Sequence, residues 1–457
     1  MPSDRPSPLP RWVKVSFWTG LALFLGWLGW VQLIRDETVR APEGFLARTE
    51  TVVYQPEENG LELLLEGVAS MRRPRGDWTH QKQQKEILGL RAAWDQEIMQ
   101  PLVDAAPAAR QMVQQSLQKP TGPASPRADR PSPWSPEEDF SLWYGGDDFK
   151  AVTNIFLAKA MDLARQNKAM DARRWITEAR NMALRYWAVA GTPDRSKLAM
   201  YFLAQTDFLV FHLLAIYPAS AEDLAEAQAI FTGSGFHQKE FLQLVARDYW
   251  QQMEDRAQPL FHSGRQADPM AFFSACCDDP MPPAWWIRMR YKQGAEQNLF
   301  TDIYSQLGEV IFLEGPKGRQ KVADLYTVLK LESKLSFISV EPNRTGRVLA
   351  STAALRLLDD ESWFFAFEAV RRCCLTAVAA KRWSLAHQGH RPGSLQELVP
   401  DYLPGVPLDP YEAKPVRWDA PSGTVFVIGE DGVDDVPVMP DGRFVSPLKT
   451  SPGARLP

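Results

Sequence analysis

Few residues in this chain have both the type and the spacing that chemistry requires. The acidic turn from Gly429 to Asp435 sets Asp431, Asp434 and Asp435 close together, with Glu430 beside them. Clustered carboxylates are the hard oxygen donors that Ca²⁺ takes, roughly six to eight at a time with carbonyls and water included. The same acids also read as a solvated turn, and the residues alone leave both readings open. His387 and His390 have the i, i+3 spacing of a metal pair, but Gly389 and Pro392 end the helix there, so a solvated terminus is the better reading. The cysteines form two vicinal pairs, Cys276-Cys277 and Cys373-Cys374, with no C-x-x-C spacing, which argues against zinc and thioredoxin-type sites. Buried thiols, or cross-links between the pairs in an oxidising compartment, both fit.

Other motifs fall short of a reaction. Gly315-Pro316-Lys317-Gly318 lacks the full phosphate-loop pattern and reads as a plain turn. No H-E-x-x-H or G-x-S-x-G occurs. The acidic pairs Asp147-Asp148, Asp278-Asp279 and Asp359-Asp360 fall at predicted loops or helix starts, where the helix dipole favours them. No catalytic or cofactor-binding residue is assigned. A net charge of −5 argues against a nucleic-acid partner, which calls for a basic face.

The elements that must position these residues begin with an uncharged apolar run from Val15 to Ile34. At about 1.5 Å per residue a helix of that length crosses the roughly 30 Å hydrocarbon core of a bilayer. Arg5, Arg11 and Lys14 precede the run, and Arg35, Asp36 and Glu37 follow it where a signal peptide would show a small-residue cleavage site. The expectation is a retained transmembrane helix over 15–34, a cytosolic tip over 1–14 and a tether over 35–56. A short basic tail before one span places the N-terminus inside and exports the body.

From 57 to 388 the apolar spacing is helical, interrupted by a Pro- and Ser-rich loop over 119–138. The spacing predicts one long segment over 81–118, an antiparallel pair turning at Asn167, and a buried core helix over 196–216. Separate helices are expected over 347–358 and 361–387. The segment over 163–184 is weakly like the inner half of a tetratricopeptide hairpin, with Ala172 and Ala179 as its small contact residues, but no period of about 34 residues is sustained, and an ordinary antiparallel pair is the better reading. At 457 residues the chain is long enough for one large or two ordinary domains, and the fold class expected is mainly α.

After His387 the texture changes. Ser394 and Glu397 have capping-box spacing, Asp409-Pro410 and Lys414-Pro415 fix turns, and Val416 to Trp418 with Thr424 to Ile428 read as a β-hairpin. A cassette over 389–440 and a flexible tail over 441–457 complete the chain.

The cassette resembles the C-terminal region of the major pseudopilin of type II secretion systems. The resemblance rests on the step from Gly389 to Pro392, the Tyr402 to Pro410 string, Lys414-Pro415 with Trp418, and the Gly429 to Asp435 turn. It covers about an eighth of the chain. The whole chain also resembles uncharacterised single-span helical proteins of planctomycete- and verrucomicrobium-like bacteria that carry such a cassette. The run from Val15 to Ile34 holds no glutamate, and no pseudopilin leader precedes it, so the chain is not a pseudopilin subunit. The resemblance implies an α+β cassette, calcium at Asp431, Asp434 and Asp435, and a bacterial inner-membrane protein with a periplasmic body. Together these point to an anchored helical binding or scaffold protein with an unidentified protein partner, linked to a secretion or envelope assembly. The alternative is an exported-compartment enzyme whose reaction the motifs do not name.

Overall fold

The computed structural model describes residues 16–26, 40–47, 58–60, 63, 64, 67, 87, 93–120, 146–189, 193–216, 219–233, 238–257, 293–333, 344–429 and 453–454. They divide into two compact units. One holds the described residues of Met1–Ala47, Gln252–Glu309 and Ala323–Leu357; the other holds those of Arg48–Gln251, Val310–Val322 and Leu358–Pro457. The protein is mainly helical, as its spacing predicts.

In the second unit the first long helix, α1 (Gln96–Leu117), starts where the Asp95 carboxylate accepts the Glu97 and Ile98 N–H groups at 3.0 and 3.3 Å. This cap breaks the expected 81–118 segment, because 93–95 are not helical. Helices α2 (Gly146–Arg165), α3 (Ala169–Val189) and α4 (Pro193–Ile216) follow, each packed on its predecessor. Asn167 makes the α2–α3 turn with φ 60°, a backbone geometry its short polar side chain tolerates. Ala172 and Ala179 are fully buried between neighbours, as expected of small residues at a close helix contact. Helix α4 keeps Phe202, Leu203, Leu209, Val210, Phe211, Leu213 and Leu214 buried, the core helix its composition announces.

Ser220 and Asp223 open α5 (Ala221–Gly233) with reciprocal bonds of 2.7 and 3.1 Å, a capping box. Helix α6 (Gln238–Ala257) brings Phe241 against Phe312, stacked at 4.4 Å. Phe312 meets Phe365 edge-on at 5.1 Å, and Phe365 meets Tyr411 at 5.0 Å. This aromatic relay ties α6 to the turn before α8, to α9 and to the C-terminal cassette.

Helix α7 (Gln293–Val310) belongs to the first unit except for its last residue, and α8 (Gly315–Ser333) opens with Pro316, whose missing N–H costs nothing at a helix start. Helix α9 (Arg344–Ala386) runs unbroken for 43 residues. Two helices were expected there, parted at Asp359-Asp360. No Pro or Gly separates them, and the wholly buried Glu361 turns inward to pair with Arg319, so the helix continues.

The hairpin forms as β1 (Arg417–Asp419) and β2 (Thr424–Phe426), antiparallel, with Trp418 opposite Val425. Within the stretch read as a tail, Gly453–Ala454 form β3, pairing with β2 at Val425 and Phe426. Within the stretch read as a tether, Gly44–Leu46 make a 3₁₀ turn and Leu46 is fully buried. Of the apolar run, 16–26 are helical; Val15 and 27–34 lie outside the described residues, as do 121–138 of the predicted loop. Among the described residues no helix is long and apolar enough to cross a membrane.

Candidate functional site

Among the described residues, the densest chemistry is a set of charged side chains buried along the middle of α9. Glu368 has no exposed surface. Its carboxylate accepts from Arg371 at 2.5 and 2.7 Å and from Arg372 Nε at 2.7 Å. The i+3 and i+4 spacing puts both guanidiniums on one side of the helix with the acid. Arg371 also donates to the Phe231 carbonyl at the end of α5. Arg372 donates to Glu314 at 2.5 and 3.0 Å and to the Leu408 carbonyl of the cassette at 2.8 Å.

Burial alone would raise the pKa of Glu368, but the charges and hydrogen bonds of Arg371 and then Arg372 outweigh it and hold the carboxyl below its ordinary value. Burial would likewise lower the pKa of Arg372, and its bonds to Glu314 with the charges of Glu368 and Glu314 instead raise it. These groups are locked in their charged forms.

Glu361, one helical stretch earlier and also without exposed surface, accepts from Arg319 at 2.5 and 3.2 Å and from the Phe312 N–H at 3.1 Å. Asp409 is the cassette's own hub. It accepts the N–H groups of Tyr411 and Ile428 at 2.8 and 2.9 Å and the Arg417 guanidinium at 3.3 Å. Burial pushes its carboxyl above the usual aspartate value despite those donors.

Cys373 and Cys374 lie between these charges, buried and as free thiols. Burial pushes both well above the ordinary thiol pKa, which leaves them protonated and unreactive. Cys374 lines a cavity of about 10 Å³ with Asp207, Phe208, Phe231, Phe367 and Arg371, the space of a single water. Asp207 also pairs with Arg180 at 3.4 Å.

No protein-family model, curated protein or solved structure matches this chain.

Most residues singled out from the sequence lie elsewhere. Asp431, Asp434, Asp435, Glu430, Asp278, Asp279, Cys276 and Cys277 lie outside the described residues. Among the described residues no group of three or more His, Cys, Asp or Glu is placed to hold a metal. His387 stacks on Trp383 at 3.8 Å and, with His390, is exposed at the end of α9. Gly315 to Gly318 form the first turn of α8, where a Cβ on Gly318 would come within 2.8 Å of the Leu313 carbonyl oxygen, so close backbone packing requires that glycine. Asp359 and Asp360 sit inside α9.

Glu368, Arg371, Arg372, Asp207 and Arg180 went unread in the sequence, although Glu368 with Arg371 and Arg372 on an otherwise apolar stretch was a visible signal. Chemically the cluster can do one thing well: it fixes α9 to α5, to the turn before α8 and to the cassette through charge-assisted bonds. The cassette is fastened further by Gly315 N–H to the Pro410 carbonyl at 2.8 Å and by Arg382, which lies over the Tyr402 ring at 5.6 Å and donates to Gln228 at 2.6 Å.

Proposed function

We propose that this chain is a membrane-anchored, exported helical binding or scaffold protein. It is single-pass, with its N-terminus cytoplasmic and its body periplasmic, and it serves a protein partner in a secretion or envelope assembly. The use of buried charge in the second unit carries this reading. Glu361 and Asp409 are each closed by guanidinium and backbone N–H donors, and Glu368 is closed by two guanidiniums. Such closure stiffens a frame and holds no group poised for proton transfer.

The anchor is supported by 16–26, which are helical and expose Phe17, Trp18, Leu23 and Leu25 by 56–71%. Apolar side chains so uncovered call for lipid or protein against them. Calcium at Asp431, Asp434 and Asp435 enters this proposal through the cassette's resemblance to pseudopilins. Membranes from cells expressing the full chain test the reading. The full-length mass should remain in the membrane pellet after alkaline carbonate, and a partner should co-purify in fixed stoichiometry from detergent. A mature chain beginning near residue 40, or release by carbonate, would overturn the anchor; steady turnover of a small substrate would overturn the binding role.

A further inference from the structure

We infer that the face of α7 bearing Asn298 and Asp302 rides directly above the bilayer headgroups, held there by a clasp that closes just after the anchor. This rests on the anchor reading above. Arg40 begins the clasp. Its backbone N–H donates to Asn298 Oδ1 at 2.8 Å, and its guanidinium reaches Asp302 at 2.7 Å and the Asn298 carbonyl at 3.4 Å. Leu46 is fully buried, and the Phe45 ring fills the space over Gly308, where a Cβ would come within 2.2 Å of it. The Arg40–Asp302 pair is exposed and holds weakly. Leu46 and Phe45 supply the grip through apolar burial. Clasp and helix belong to one compact unit.

Contour length then sets the geometry. From Ile34, the last residue of the apolar run, to Arg40 is six residues along the chain, and six residues fully extended reach about 22 Å. A tether free up to residue 56 would allow more than three times that span. The clasp therefore converts a long leash into a short one, and the surface beside it is the one nearest the lipid. That surface exposes Asp302, Gln306 and Glu309 with Arg40, a mixed polar face suited to lie on a zwitterionic headgroup layer without inserting into it.

The test is energy transfer in phosphatidylcholine nanodiscs with acceptor dyes on the headgroups. The full chain carries a donor fluorophore as a non-natural amino acid at position 306. Strong transfer is expected, falling at least twofold when a twenty-residue Gly/Ser spacer is inserted after Arg35, since such a spacer adds roughly 25 Å of mean reach. Gly308→Leu, which evicts Phe45, should lower transfer as well, with helical content by circular dichroism unchanged. Transfer indifferent to the spacer in nanodisc-bound protein overturns the inference. A chain that does not enter nanodiscs at all overturns the anchor reading instead, so the two failures are separable.

Discussion

Arg319 and Glu361 stand 42 residues apart and meet as a two-pronged ion pair, with the Arg319 guanidinium also lying 4.1 Å over the Phe365 ring. Because Glu361 is wholly buried, removing its partner strands a charge in a poor solvent for it. Arg319→Ala should cost about 3–5 kcal/mol in chemical denaturation. Arg319→Lys should recover only part of this, since an ammonium cannot make both bonds. An Arg319→Ala protein as stable as the parent would show that the pair does not hold α8 to α9.

Glu368 makes a prediction about acid. Its folded pKa lies below the ordinary glutamate value of about 4.5, so its contribution to stability is complete above that pH and is lost as pH falls below it. Unfolding followed by tryptophan fluorescence from pH 7 to 3 should show stability dropping below about pH 4.5. Glu368→Gln should be less stable at pH 7 and should flatten that acid slope.

The thiols predict the opposite limb. Cys373 and Cys374 have folded pKa values well above the ordinary thiol value, so they favour the fold up to that value, and the contribution is lost as pH rises beyond it toward their raised values. Stability should begin to fall above about pH 8.5. A thiol reagent at neutral pH should modify neither residue until denaturant is added, as mass spectrometry of peptides spanning Arg371 to Thr376 would report.

Trp418 is half-buried and donates its indole N–H to the Pro392 carbonyl at 3.0 Å. Trp418→Ala should cost about 3 kcal/mol, the low end for a large aromatic, because part of the ring faces water. Trp418→Phe should lose about 1 kcal/mol for the hydrogen bond alone. An unchanged melting temperature in both variants would show that the hairpin is not fastened through this ring.

Local signals in the sequence carried far. Ser394 with Glu397 at 3.0 Å and Asn167 at its turn are where spacing and turn chemistry put them, and the hairpin forms with its first strand one residue later, and its second two residues shorter, than read. What failed was non-local. The acidic pair Asp359-Asp360 looks like the start of a helix, and only a partner 42 residues upstream explains why the chain runs on through it. Arg372 has the spacing to meet Glu368, but nothing in its neighbourhood announces Glu314 or Leu408, 58 and 36 residues away. The candidate site is made of such pairings, so its acids and bases were legible and their assembly was not. The short strand β3 escaped for a simpler reason: two residues carry no period.

That strand gives Gly453–Ala454 a protective duty. With Gly453–Ala454 in place, the backbone of Val425 and Phe426 is covered on both sides by β1 and β3. Cut the chain ahead of Gly453 and β2 becomes an open rim, lined by apolar side chains and ready to accept a strand from a neighbouring molecule. Shortened chains should therefore self-associate at concentrations where the full chain stays dispersed, and a bulky fusion at the C-terminus should invite the same fate by prying the seal loose.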